Sequence, residues 1–268
     1  MRRVPFFIAV ALFLLGGGAD VFAEGKPPQV HGVSAILVDV QTGRVLYNKN
    51  SRQPRAVAST QKLLTALIVA EEGNLWQTVT VQLSDTLAPP TKLYLKAGQT
   101  YSRFDLLQAL LVRSANDVAC CLARDNAGSV EAFAEKMNRR AFQMGATSSH
   151  FKNPNGLPIE GQRSTARDMA IIARNVYANP ILRRIVATKS FEFHFADGRV
   201  RELVNTNRVL RTASFCNGMK TGYTDAAGHC LVASGRDKGR DVIAVVLGSS
   251  KAHVWADSKN LLEWGLQL

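Results

Sequence analysis

Apolar and polar positions change period several times along this chain. Ala35, Ile36, Leu37 and Val38 form an apolar run too short for a helix, and Gln41-Thr42-Gly43-Arg44 supplies turn residues before Val45-Leu46-Tyr47-Asn48. The pattern predicts two strands, Val33 to Val40 and Val45 to Asn48, joined by a turn. A helix is predicted from Ser59 to about Glu72, stopped by Gly73, and short strands at Val79-Thr80-Val81 and Lys92-Leu93-Tyr94-Leu95 around Pro89-Pro90. Ser102 with Asp105 opens a helix that breaks at Arg113-Ser114-Ala115-Asn116. A new helix then carries Val118, Cys120 and Leu122. Ser129 caps a helix ending at Gly145, Asn153 to Pro158 reads as a loop, and Thr165 with Asp168 starts another helix through Ile171, Ile172 and Val176. From Ser190 the period becomes two. Phe191, Phe193 and Phe195 alternate before an Asp197-Gly198 turn, and strands follow at Met219–Thr221, Cys230–Ala233 and Val242–Leu247. A last helix holds Trp255, Leu261, Leu262 and Trp264. Strands at both ends with helices between predict an α/β fold of the α+β kind: one antiparallel sheet built from the first and last strands and covered by helices.

Composition narrows the class. A chain of 268 residues that is 46% hydrophobic can bury a core and is not a disordered protein. Arg2-Arg3 followed by Val4 to Leu15 and then Val21-Phe22-Ala23 reads as a leader, residues 1–23, either removed or kept as an anchor. Residues 24–32, with Lys26-Pro27-Pro28, read as a linker, and 33–268 as the functional domain. The expected location is outside the cytoplasm, in a periplasm or cell-wall space. The net charge of +12 suits an anionic partner such as a membrane surface or wall polymer. Nucleic acid is the poorest choice, because the basic residues are scattered and no binding motif is present.

Four cysteines, Cys120, Cys121, Cys216 and Cys230, show no disulfide framework. Cys216 and Cys230 flank an expected hairpin where a bridge is one option, but four buried thiols are the expectation. No C-x-x-C, H-E-x-x-H or G-x-S-x-G occurs, so neither zinc, another cofactor nor a hydrolase elbow is expected.

Three short segments carry candidate chemistry. Ser59 and Lys62 share one face of the first helical turn. A serine hydroxyl needs a base, and a lysine serves if burial or a second cation lowers its pKa. Ser114 and Asn116 sit in the break between two helices, placed to relay a proton and to hold a substrate amide. Lys220-Thr221-Gly222 offers a cation for a carboxylate, a hydroxyl donor, and a position without a side chain to obstruct a substrate backbone at a strand edge.

Together, in this order, the segments resemble the low-molecular-mass penicillin-binding proteins, D-alanyl-D-alanine carboxypeptidases of serine peptidase family S11. The similarity runs from about Val33 to the C-terminus. It includes Pro54 to Ser59, Arg113 to Asp117, Asn155-Gly156-Leu157, Ser164 to Met169, Gly218 to Thr224, Ala227 to Val232 and Lys259 to Gly265. The resemblance implies a β-lactamase/transpeptidase-like fold with an all-helical lobe, acting as a monomer on peptidoglycan stem peptides. It also implies that Ser59 forms the acyl-enzyme with Lys62 as base and Ser114 as proton shuttle. Asn116 would bind the substrate amide, Lys220 and Thr221 the terminal carboxylate, and the N–H groups of Ser59 and Tyr223 the oxyanion. β-Lactams would acylate the same serine.

Family members usually continue into a β-rich second domain and an amphipathic anchor. With Leu268 as its last residue, the chain is expected to lack both. Many members also carry an arginine shortly before the last helix, where this chain has Lys251-Ala252-His253-Val254-Trp255. The alternative reading is therefore a D,D-endopeptidase that cuts cross-links. A β-lactamase is disfavoured because Glu160 has the wrong neighbours, and a non-catalytic wall-peptide binder because Ser59 and Lys62 are intact.

Overall fold

A computed structural model describes residues 25–268, so the expected leader lies outside the described residues. The strands that open and close the chain pair with one another. β1 (Ser34–Asp39) and β2 (Val45–Lys49) form the first hairpin. After a 3-10 turn over Ala58–Gln61 come α1 (Lys62–Glu72), β3 (Thr78–Thr80), α2 (Leu83–Thr86) and β4 (Thr100–Ser102). The helical lobe continues with α3 (Arg103–Arg113), α4 (Asn116–Ala127), α5 (Val130–Gln143), α6 (Ala166–Ala178) and α7 (Pro180–Val186). A hairpin of β5 (Ser190–His194) and β6 (Val200–Val204), a short α8 (Arg208–Thr212), strands β7 (Cys216–Thr224), β8 (Gly228–Asp237) and β9 (Arg240–Ser249), and α9 (Val254–Gln267) complete it.

The main sheet is antiparallel in the order β2-β1-β9-β8-β7. Its register pairs Ile36 with Val245 and Lys220 with Val232. Alternation then sorts side chains between two cores. Ile36, Val38, Val232, Ile243 and Val245 join the helical lobe, while Ala35, Leu37, Leu231, Ala244 and Val246 pack with Leu261 and Leu262 of α9. Both faces of the middle strands are covered, which is why β9 reads as an almost continuous apolar run rather than an alternating one. α1 is buried at every residue from Lys62 to Val69. It is therefore the central helix of the lobe, and Lys62 at its start is fully enclosed.

The capping residues behave as their spacing predicts. Ser102, Ser129 and Thr165 accept the backbone N–H groups of Asp105, Ala132 and Asp168. Two expectations change. The first turn of the Ser59 helix is 3-10, and the α-helix begins at Lys62. Lys92 to Leu95 is not a strand. Leu93 and Leu95 are buried in alternation, but the N–H groups of Leu93, Tyr94 and Leu95 donate to the carboxylate of Asp117 at 3.1, 2.8 and 3.2 Å, in place of a strand partner. β3 pairs with β4 instead. All four cysteines are free thiols. Cys121, Cys216 and Cys230 are buried and Cys120 is half-buried. Among the described residues, no helix is long and apolar enough to cross a membrane.

Candidate active site

Ser59 is the second residue of the 3-10 turn, after Ala58, whose φ of +48° lies in the left-handed region where a side chain is strained. That turn aims the hydroxyl at Lys62 one turn on. Lys62 Nζ lies 2.8 Å from Ser59 Oγ, 2.8 Å from Asn116 Oδ1 and 2.6 Å from the carbonyl oxygen of Asn155. A neutral amine has two N–H donors and one lone pair. The two oxygens of Asn116 and Asn155 take the donors, and the lone pair then faces the hydroxyl of Ser59. The electrostatics favour that form. Burial pushes the Lys62 pKa well below the usual lysine value, and the nearby cation of Lys220 pushes it further down.

Ser114 and Asn116 bracket the junction of α3 and α4. Ser114 closes α3 at φ +71° and Ala115 opens α4, which places Asn116 in the first turn beside Lys62. Asn116 is more fully engaged than its expected role allows. Its amide nitrogen donates to the carbonyls of Pro89 and Pro90 at 2.9 and 3.0 Å while its oxygen accepts from Lys62. In this arrangement it positions Lys62 and the Pro89-Pro90 loop, and presents no free donor to a substrate amide. Ser114 is half-buried at the same junction, and among the described residues its hydroxyl is not hydrogen-bonded to Ser59 or Lys62.

The third segment arrives on β7, at the edge of the sheet. Gly222 faces the nucleophile's turn. A Cβ there would lie 2.8 Å from the Ser59 backbone nitrogen and 3.0 Å from that of Thr60. The missing side chain therefore lets the strand close against the Ser59 N–H, with Tyr223 next along the same edge. The Tyr223 side chain points away, with its hydroxyl donating to Asp225 at 2.7 Å and its ring tilted against that of His229. Thr221 shares a 2.6 Å hydroxyl–hydroxyl bond with Thr206. Lys220 is buried, its Nζ donating to the Thr221 carbonyl at 2.9 Å, and burial lowers its pKa to about 7.

An enclosed lysine that loses its proton more easily than an unfolded one costs stability below its ordinary pKa. The folded chain binds fewer protons than the unfolded chain between about pH 7 and lysine's usual value near 10.4, so stability rises with pH across that window. Lys220→Met removes this contribution. At pH 7 most of the roughly 4 kcal/mol that the shift implies is offset by the lost charge-assisted hydrogen bond to the Thr221 carbonyl, and the variant is expected to melt about 2–4 °C higher, a net effect of about 1 kcal/mol, with a shallower gain on going to pH 10, as read by calorimetry.

Sequence reading missed the loop over Asn153 to Leu157 as part of the site. Gln61 and Thr65 donate to the carbonyls of Asn153 and Pro154 at 2.6 and 2.7 Å, stitching the loop to α1. That places the Asn155 carbonyl on Lys62. Gly156, at φ +85°, passes so close to the nucleophile's turn that a Cβ would sit 2.1 Å from the Ala58 carbonyl oxygen. The sequence signals only a turn here. Gly156→Ala is expected to cost about 3 kcal/mol in a denaturant titration, from strain and steric displacement together. Asp117 orders the backbone from Leu93 to Leu95 beside the site, a role that its place at a helix start does not reveal.

A family model described as D-alanyl-D-alanine carboxypeptidase, peptidase S11, matches residues 21–251. The chain belongs to the S11 D-alanyl-D-alanine carboxypeptidase family. It is similar to the carboxypeptidase DacF of Bacillus subtilis, 33% identical over 262 residues, covering 93% of this chain and 67% of that protein. It is also similar to DacB2 of Mycobacterium tuberculosis, 35% identical over 258 residues, covering 93% of this chain and 88% of that protein. The solved D-alanyl-D-alanine carboxypeptidase DacD of Francisella tularensis superposes with a TM-score of 0.87 at 30% identity, covering 92% of this chain and 73% of the other. The S11 family member described here is therefore a serine-type peptidase with the DD-peptidase fold, as the three segments and the strand order imply.

Two clefts flank its centre. One, of about 380 Å³, is lined by Ala58, Gly156, Ile159, Glu160 and Thr224, beside Ser59 and beyond Tyr223 along β7. The other, of about 520 Å³, is lined by Lys92, Tyr94, Arg113, Arg201, Glu202 and Val204, beside the α3–α4 junction.

Proposed function

We propose that this chain hydrolyses the D-alanyl-D-alanine end of peptidoglycan stem peptides through an acyl-enzyme on Ser59, and that β-lactams acylate the same oxygen. One observation carries the reading: Lys62 Nζ sits 2.8 Å from Ser59 Oγ, 2.8 Å from Asn116 Oδ1 and 2.6 Å from the Asn155 carbonyl oxygen, so that once the amine is neutral its two donors go to Asn116 and Asn155 and its lone pair is left for the Ser59 hydroxyl. Lys62 accepts the hydroxyl proton as Ser59 Oγ bonds to the carbonyl carbon between the two D-alanines. The N–H groups of Ser59 and Tyr223 receive the developing oxyanion, an arrangement supported by the close approach of β7 at Gly222. Ser114 passes the proton to the amine as the C–N bond breaks. Lys220 and Thr221 hold the carboxylate of the departing D-alanine, and water then hydrolyses the ester. The donor stem lies along the cleft at Ala58, Gly156 and Thr224.

The leader pattern of residues 1–23 supports action after export, in a periplasm or cell-wall space, and the reading takes residues 33–268 as one peptidase domain working as a monomer. Mass mapping of penicillin-treated protein, run beside D-alanine release from a stem pentapeptide, tests the chemistry. The expected adduct falls on the peptide containing Ser59. An adduct on another residue, or no adduct with no D-alanine released, overturns the proposal.

A further inference from the structure

Both polar groups of the Thr221 residue are held from outside the strand ladder. Its carbonyl accepts from Lys220 Nζ at 2.9 Å, and its hydroxyl lies 2.6 Å from that of Thr206. Thr206 belongs to Asn205-Thr206-Asn207, the short connection from β6 to α8. Asparagine suits such irregular backbone because its side chain bonds nearby backbone groups, and both asparagines here are buried and engaged in that way. Asn205 donates from its backbone nitrogen to the Lys189 carbonyl at 2.8 Å and from its side chain to the Thr188 carbonyl at 2.9 Å, while its side-chain oxygen accepts the N–H of Asn207. Asn207 caps α8 and donates to the Gly218 carbonyl at 2.9 Å, two residues before Lys220. Between them the Thr206 N–H donates to the carbonyl of Val112, the penultimate residue of α3, at 3.3 Å. Val112 stands two residues before Ser114. The connection therefore ties the end of α3 to β7, and Thr206 is where that tie reaches a side chain of the reaction centre.

A hydroxyl has one proton to donate and two lone pairs. In the free protein either threonine can donate to the other. A carboxylate has only lone pairs to offer, so Thr221 can hold one only by donating to it. The pair then survives in a single arrangement: Thr206 donates to Thr221, and Thr221 donates to the carboxylate. Two bonds in that head-to-tail order polarise one another. Lys220 supplies charge, which acts in any direction; the hydroxyl supplies direction. We infer that Thr206 is a positioning residue for the carboxylate of the departing D-alanine. It fixes the rotamer and the proton direction of the Thr221 hydroxyl, and so sharpens the preference for substrates that end in a free carboxylate. The inference rests on the acyl-enzyme reading above, with the carboxylate on Lys220 and Thr221. Thr206 itself acts only through Thr221, and the bonds made and broken in the reaction are unchanged.

The test compares kcat/KM for two synthetic stem peptides that differ only at the last residue, one ending in D-alanine and the other in D-alanine amide. The wild type is expected to favour the free carboxylate by about tenfold or more. Thr206→Val keeps the size of the side chain and removes its hydroxyl. It is expected to lower kcat/KM on the carboxylate substrate about fivefold to tenfold and to leave the amide within about twofold, so that the preference shrinks about fivefold. Thr206→Ser keeps the hydroxyl and is expected to restore the preference to within about twofold of the wild type. Thr206→Ala removes the hydroxyl without adding an apolar branch, and the same loss of preference is expected from it. Turnover of the amide and a penicillin adduct on Ser59 report that each variant is folded and chemically competent. A fall on both substrates alike in Thr206→Val and Thr206→Ala marks a purely structural residue and overturns the inference. An unchanged preference in these variants overturns it too, and either result leaves the carboxypeptidase reading standing. A wild type indifferent to the terminal carboxylate removes the assignment to Lys220 and Thr221, and the inference with it. Absence of D-alanine release together with absence of a penicillin adduct in the wild type defeats the acyl-enzyme reading itself.

Discussion

Ser59→Ala is expected to stop D-alanine release almost completely, with kcat falling by a factor on the order of 10⁴ or more, and to eliminate the covalent penicillin adduct. The size of the effect follows from the geometry. Ser59 is the hydroxyl within 2.8 Å of the Lys62 amine, and the turn that carries it is locked by Gly156 on one side and Gly222 on the other. Alanine leaves that turn intact, because the strained residue is Ala58 and not Ser59. The variant should thus fold, melt close to the wild type and still bind stem peptide. Intact binding with no turnover separates loss of the nucleophile from loss of the site. Measurable turnover by a folded Ser59→Ala protein would show that another group attacks the substrate.

Lys62→Met is expected to lower kcat/KM by a factor of about 10³, because a methionine of similar length fills the space but offers no lone pair. Lys62→Arg should be as inactive, since a guanidinium keeps its proton at any working pH. The wild-type profile follows from the direction of the shifts. Acylation needs neutral Lys62, so its rate falls as the pH drops through the lowered pKa and the ammonium forms. Binding of the carboxylate needs charged Lys220, whose value near 7 in the free protein makes substrate binding weaken on the alkaline side. The expected profile of kcat/KM is a bell whose acid limb belongs to Lys62. Loss of that limb in a partially active Lys62 variant, with the alkaline limb kept, would assign it. A variant that retains the acid limb would place the base elsewhere.

Much of this arrangement could be read from side chains alone. The caps at Ser102, Ser129 and Thr165 announce themselves by spacing, and the shift from a helical to an alternating period near Ser190 separates the lobe from the late strands. Ser59 and Lys62 were legible because three residues along a helical turn is a local relation. Ser114 and Asn116 were legible because a helix break is visible in composition. What escaped was supplied by the backbone. The Asn155 carbonyl reaches Lys62 across 93 positions and bears no residue-type signature. Lys92 to Leu95 alternates like a strand, yet its N–H groups are taken by Asp117, a competitor that pattern reading does not weigh. The lack of a side chain at Gly222 is legible in the sequence, but only the fold shows that its bare face also meets the turn of Ser59.

β7 is one of the two outermost strands of the sheet, and an outermost strand normally invites unwanted pairing with other chains. Here the Ser59 turn shields part of that rim, and the proposed chemistry uses the rest. Backbone groups that a fold of this kind cannot satisfy internally become the means of gripping an extended guest. In this architecture an aggregation hazard and a binding surface are the same stretch of chain, kept safe by being narrow, partly covered and specific in what it admits.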